Sequence, residues 1–387
     1  MNTYPSSATE PRTPSALARL ELDRELNLPV QLQKEEALGD GYRLEPRDGG
    51  YLLTGGETGL LYGAYRLIAD ARCGELPAAP VASAPQYALR MINCWDNADG
   101  SVERGYAGRS LFFEGGRLHW DPDRLRELGR TLASCGLNVL CLNNVNVRPP
   151  AQELLTDQLP ELARLADFFR PYGIRLLVAV DFSHPLRAGL PTADPLDPGV
   201  QAWWRQTANR VWGAIPDLAG FLVKADSEGQ PGPLAYGRNH AEGANLLAEA
   251  LKPHGGVVVW RCFVYNCRQD WRDTQTDRPK AAWDLYTPLD GAFAENVILQ
   301  VKHGPFDFQV REPLSPLLLG MPGTHLAMEL QLAQEYTGHQ IDLYTMIPMW
   351  KELYQELPKD RITALTAVSN LGNDPCMTGH PLAAVNL

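Results

Sequence analysis

The chain has 387 residues, 44% apolar and 21% charged, a composition that excludes disorder as the dominant state and supports a sizeable core. Lys and Arg number 35 against 46 Asp and Glu, and the net charge of −11 argues against nucleic acid, whose phosphates need a basic surface. No run of about 18 apolar residues is present to span a membrane.

The start, Met1-Asn2-Thr3-Tyr4-Pro5, lacks the basic and apolar parts of a signal peptide. Seven scattered Cys without a Cys-x-x-Cys fit reduced thiols, so a cytoplasmic location is expected. In chain order, the first 15 residues are polar and read as frayed. Residues 42–45 and 51–54 flank Asp48-Gly49-Gly50, a hairpin signal. Thr58 is expected to cap a helix over 59–70, and Pro77, Pro80 and Pro85 mark a linker. Residues 1–85 are therefore read as a small N-terminal α/β domain with its linker.

From residue 86 to 387 the pattern changes to apolar strand, loop and amphipathic helix, repeated. Strands are expected over 87–92, 138–142, 175–180, 220–223, 256–260, 297–301, 325–330 and 363–368. Helices are expected between them, among others over 122–134, 154–169, 200–215 and 241–251. Eight alternations favour a (β/α)8 TIM barrel over an open doubly wound sheet. No Gly-x-Gly-x-x-Gly follows a strand and no phosphate-binding Gly-Lys-Ser/Thr loop occurs.

Barrel enzymes carry their chemistry at the C-terminal strand ends. Those ends supply Trp95-Asp96, Asn143-Asn144-Val145-Asn146, Asp181, Lys224 through Glu228, Arg261, Lys302 through Asp307, and Glu329 through Tyr336. Carboxylates on several loops, beside aromatic residues and a few cations, suit glycoside hydrolysis, which needs one protonated and one ionised carboxyl. Helix capping and salt bridges are the competing use of such acids. The eight His are dispersed and suggest no metal site.

Particular segments sharpen this reading. Arg90-Met91-Ile92-Asn93-Cys94-Trp95-Asp96-Asn97-Ala98-Asp99-Gly100, then Val102-Glu103-Arg104-Gly105-Tyr106-Ala107-Gly108, resembles the opening barrel motif of the α-glucuronidases of glycoside hydrolase family 67. Leu142-Asn143-Asn144-Val145-Asn146, Gly220 through Pro233, Tyr236-Gly237-Arg238, Val301 through Pro313, and Gln334-Glu335-Tyr336-Thr337-Gly338 are similar to later family segments. The resemblance implies removal of (4-O-methyl-)glucuronic acid, α-1,2-linked to the terminal xylose of xylo-oligosaccharides, with inversion and without metal or organic cofactor. It implies that Glu228 is the general acid and that Asp307 and Glu335 activate water. It also implies that Lys224, Arg261 and Lys302 hold the uronate carboxylate.

Two residues depart from the family pattern: Asp226 and His303 stand where Asn is usual. The family continues into a large helical domain where this sequence ends at Leu387. Trp95 is read either as a stacking platform for a sugar face or as a core-filling rim residue. Asn143 and Asn144 are candidates to bind sugar hydroxyls, or to stitch loops together. Trp203-Trp204 reads as helix packing, and Arg311 and Glu312 as pairing with each other or with nearby loops. Met346, Met349, Trp350, Leu353 and Tyr354 form one helical stripe within 346–357. That stripe either packs onto the barrel or is an exposed face for homo-oligomer formation. The expected partner is a small aldouronic acid, with no nucleic acid and no membrane. Rival expectations are a hexosaminidase-like exo-glycosidase and a non-catalytic oligosaccharide-binding relative.

Overall fold

A computed structural model of the chain describes residues 11–103, 108–262, 272, 278–333, 335–337, 345–358 and 360–371. The chain packs as two compact units. One comprises Met1–Ala88, Arg126–Asn138 and Leu165–Arg175; the other comprises Leu89–Leu125, Val139–Arg164 and Leu176–Leu387.

The first unit contains a mixed four-stranded sheet of β1 (Val30–Lys34), β2 (Tyr42–Arg47), β3 (Gly50–Gly55) and β4 (Val81–Ser83), in the order β1-β3-β2-β4. Strands β2 and β3 are the expected hairpin, with Arg47 opposite Gly50 and Gly49 at φ 74° in the two-residue turn. Two expectations for this unit fail. Residues 14 and 15 are not frayed: they open a helix, Pro14–Glu25, capped by Thr13, and Ser15 donates to Glu57 from both its N–H and its hydroxyl. Thr58 is not a cap either. The second helix spans Glu57–Cys73 with Gly56 as its N-cap and no side-chain hydrogen bond there. A Cβ on Gly56 or Gly59 would lie 2.0 Å from the carbonyl oxygen of Gly39 or Gly41, respectively. Close backbone packing, rather than a hydroxyl, fixes where this helix begins.

In the second unit, β5 (Leu89–Cys94) is followed by a short hairpin, β6 (Phe113–Glu114) and β7 (Arg117–Leu118). Then come β8 (Val139–Leu142), β9 (Arg175–Ala179), β10 (Gly220–Lys224), β11 (Val257–Arg261), β12 (Val297–Lys302), β13 (Leu326–Gln331) and β14 (Ala364–Ser369). Strands β5 and β8 to β14 form a closed barrel, and β14 pairs with β5 in parallel to complete the ring. All eight expected barrel strands are present, with ends within two residues of those expected. Their apolar runs are continuous because both faces are covered: every residue of β5, β8, β10 and β13 is buried.

The helix expected over 154–169 is broken into a 3-10 turn, Ala151–Leu155, and a helix, Leu159–Phe169. Pro160 explains the break, since proline is tolerated only in a helix's first turn. Trp204 is buried edge-to-face against Trp203, at a ring separation of 4.8 Å, and serves helix packing. Met346, Trp350 and Leu353 are likewise buried, on or beside the helix Ile347–Glu356. The stripe thus packs mainly inward, as the first of its two readings has it, with Met349 and Tyr354 half-buried along its edge and Ile347, 52% exposed, outside.

Gly220 opens β10 at φ 155°, and a Cβ there would lie 1.9 Å from the Val257 carbonyl oxygen. Gly220→Ala should therefore destabilise by more than about 3 kcal/mol. Gly213→Ala is the control: apart from its chain neighbours and its own helix backbone, nothing lies within 4 Å of its added Cβ. The loss of backbone freedom in the unfolded chain should stabilise that variant by about 0.4–1 kcal/mol. Urea midpoints that move together in the two variants would refute this account of the strand start.

Candidate active site

Three consecutive strands end on cations. Lys224 closes β10, Arg261 closes β11 beside it in register, and Lys302 closes β12 opposite Glu329 of β13. All four side chains are buried. A buried charge is tolerated only when paired, and each of these is. Arg261 grips Glu329 through two hydrogen bonds, Nε to Oε2 at 2.8 Å and Nη2 to Oε1 at 2.7 Å. Gln300 donates to the same carboxylate. Burial alone would raise the pKa of Glu329, but Arg261 and Lys302 outweigh it and keep it ionised. Lys224 donates to Asn146 Oδ1 at 2.7 Å and to Glu228 Oε2. Lys302 donates to Asp307 Oδ1 and lies 4.7 Å from the Phe308 ring centre. Burial, reinforced by the neighbouring cations, lowers Lys224 and Lys302 below the usual lysine range, against the pull of Glu103, Asp307 and Glu329, which favour the charged forms.

The candidate catalytic acids stand on shaped loops. After β10, Asp226 and Glu228 both take positive φ, 51° and 50°, with Gly229 at 77°. Such angles are uncommon outside glycine and persist where surroundings fix them. Here the Asp226 carboxylate accepts the Leu234 N–H at 3.0 Å, tying off the loop. Asp226 therefore has a definite loop-closing job in this chain. After β12, Glu312 does similar work. Its carboxylate accepts the backbone N–H groups of Phe306 (2.7 Å), Asp307 (2.9 Å) and Gln309 (2.5 Å). Of the two pairings expected for Glu312, the structure shows the one with its loop, while Arg311 is exposed. Asp307 also accepts the Tyr336 hydroxyl at 3.1 Å. Burial tends to raise its pKa, but Lys302, Tyr336 and Arg261 prevail and lower it. Glu335 accepts from Gln331 at 3.2 Å.

Glu228, Asp307 and Glu335 line one open cleft, whose empty space including open solvent is about 480 Å³, together with Trp95, Asn144, Arg261 and Lys302. Seven of the nine residues singled out from the sequence thus meet at one place. Lys224 lies outside the lining, beneath Glu228. Asn143 is also outside it. Buried at φ 75°, it donates to the Ala179 carbonyl at 3.3 Å and accepts from Asn93 through its backbone at 3.1 Å. That is the loop-stitching alternative. Asn144 lines the cavity while donating to Glu103 at 2.8 Å. Trp95 joins Phe308, Ala333 and Val368 in a buried apolar cluster and presents its ring 5.9 Å from the Arg261 guanidinium carbon.

Glu103, Asn146, Phe308 and Glu329 also belong to the site, although the sequence assigns none of them a role. A carboxylate inside an otherwise apolar strand, as Glu329 is, was the available signal, because it demands a buried cation. His303 is buried, with neither ring nitrogen hydrogen-bonded, and burial lowers it to about 4, so it is neutral. Residues 104–107, Gln334 and Gly338 of the resembling motifs lie outside the described residues.

A closed barrel whose strand ends gather paired carboxylates and cations around one cavity defines a (β/α)8 barrel with a polar mouth. The model of the glycosyl hydrolase family 67 middle domain matches residues 72–360. The chain belongs to glycoside hydrolase family 67. It is 43% identical over 384 residues to a probable alpha-glucuronidase A of Aspergillus niger, covering 94% of this chain and 45% of that protein. It is 42% identical over 374 residues to an alpha-glucuronidase of Hypocrea jecorina, covering 90% and 44%. The chain thus spans a little under half the length of these curated relatives. Among solved structures it resembles a GH138 enzyme targeting pectin rhamnogalacturonan II, with TM-score 0.56, 15% identity and coverage of 92% and 44%. A β-N-acetylhexosaminidase from Bacteroides fragilis has TM-score 0.56 at 12% identity, with coverage of 96% and 84%. At such identities the likeness speaks to the barrel fold alone.

If Glu312 shapes the Asp307 loop, Glu312→Ala should expose the amides of Phe306, Asp307 and Gln309 to hydrogen exchange. Each charge-assisted bond contributes about 1.5–3 kcal/mol. Glu312→Gln keeps an acceptor oxygen and should retain part of the protection. Unchanged exchange in the Ala variant would mean that the loop is held by other contacts.

Proposed function

We propose that this barrel hydrolyses the bond between (4-O-methyl-)glucuronic acid and the terminal xylose of short xylo-oligosaccharides, with inversion. One observation carries the proposal: three buried cations at adjacent strand ends, in a protein of net charge −11, beside a cavity lined by four carboxylates. A neutral sugar gives no reason to bury Lys224, Arg261 and Lys302 together, whereas a uronate carboxylate does. The names of the curated relatives agree with this choice of sugar. The hexosaminidase-like alternative has only the barrel fold in its favour.

In this mechanism Glu228, on its fixed turn, protonates the glycosidic oxygen. Asp307, held ionised by Lys302 and Tyr336, takes a proton from the attacking water, with Glu335 orienting it or sharing the charge. Arg261, locked by Glu329 and lying against Trp95, meets the uronate carboxylate together with the two lysines. Trp95 offers its face to the apolar side of the pyranose.

Incubation with aldotriouronic acid should release methylglucuronate, whose fresh NMR spectrum shows the β-anomer. Retained α-configuration would rule out inversion and require one of the acids to be a nucleophile. Binding without release would identify an oligosaccharide-binding protein instead. Arg261→Ala should raise KM for uronides by about 10–150-fold, the loss of a charge-assisted contact. A neutral glucoside analogue should be affected far less; equal losses on both would reduce Arg261 to a structural salt bridge.

A further inference from the structure

A general acid must carry a proton, yet the carboxylate of Glu228 sits on the ammonium of Lys224, a contact that favours its ionised form. The pair is unequal. The Lys224 side chain is fully buried on β10, whereas that of Glu228 is 41% exposed on a surface turn. The lysine is fixed; the glutamate is free to leave.

The charges around the pair come from every side of the mouth. Arg261 faces Lys224 from β11, Lys302 from β12, Glu329 from β13, and Glu103 from the loop after β5. Asp307 and Glu335 lie along the same cavity as Glu228. Five carboxylates (Glu103, Glu228, Asp307, Glu329 and Glu335) thus surround three cations (Lys224, Arg261 and Lys302). Arg261 is committed to Glu329 at side-chain exposures of 4% and 0%, and Lys302 to Asp307. A sixth carboxylate brought by a substrate enters a site where acids already outnumber cations, and interacting groups so placed exchange protons as a set.

We infer that binding of a sugar carboxylate is coupled to uptake of a proton by Glu228. The incoming carboxylate takes the place of Glu228 on Lys224, and the released carboxyl takes a proton from solvent. No other bond is made or broken. The inference rests on the uronate reading above and adds to it a source of selectivity. An anionic sugar loads the acid with its proton as it binds, whereas a neutral one leaves the Lys224–Glu228 pair closed and the acid ionised. Lys224 then selects substrate through the protonation of Glu228 as well as through contact.

Calorimetric titration of the full chain with D-glucuronate at pH 7, in buffers of different ionisation enthalpy, measures the proton balance directly. The expected result is uptake of about one proton per bound uronate. Glu228→Gln should bind glucuronate with that uptake lost, and D-glucose should cause none in the wild type. Glucuronate binding without proton uptake would overturn the coupling and leave the uronate pocket standing. Uptake undiminished in the Gln variant would place the proton elsewhere, on Lys224, and also overturn it. Absence of glucuronate binding to the wild type would remove the uronate reading itself, and the coupling with it.

Discussion

Everything at the mouth of this barrel follows from placing three cations where water cannot solvate them. Lys224, Arg261 and Lys302 are buried at neighbouring strand ends, and an unpaired buried charge costs several kcal/mol. Each therefore dictates the position of an acid. Arg261 requires Glu329 one strand beyond Lys302, Lys302 requires Asp307 five residues on, and Lys224 requires Glu228 four residues on. The order of carboxylates around the cavity is thus set by the row of cations beneath it.

A second group of acids never reaches the cavity. Asp226 ties the Glu228 loop through the Leu234 N–H, and Glu312 gathers three amides of the Asp307 loop. Asp96 accepts from Ser110 and from the Leu111 N–H at 2.9 Å. Asp181 accepts both the N–H and the hydroxyl of Ser183 at 2.8 Å. Buried loop amides need acceptors, and these carboxylates supply them where no neighbouring strand can. Strand-end acids in this chain divide between the cavity and the architecture around it, and only the neighbours of each acid tell which.

That division explains what could be read from the sequence. The eight strands were legible because a both-sided apolar run is a property of local composition, and eight alternations leave few folds open. The cavity residues were legible in part because they fall at strand ends. The work of Asn143 was not: a side chain leading to a sugar and one leading to the Ala179 carbonyl have the same sequence signature. Nor was the helix start at Glu57, since it depends on Gly39 and Gly41 passing within touching distance of Gly56 and Gly59. Pro160 is the exception, a breaker visible in the sequence itself. Contacts between segments distant in sequence account for most of what was missed.

The ring closure of the barrel carries a further consequence, for the order in which the molecule matures. Strand β14 pairs with β5 across some of the longest sequence separations in the fold, and Trp95 donates its backbone N–H to the Ser369 carbonyl at 2.7 Å. Val368 sits in the same apolar cluster as Trp95 and Phe308. One wall of the cavity is therefore built on the seam where the first barrel strand meets the last. Contacts of such separation form late, because the loop entropy they cost must be met before they contribute. During synthesis the cation row on β10 to β12 emerges well before the strand that completes the wall. Until that strand arrives, the buried charges of the mouth face an open barrel, and the last strand to join is what encloses them.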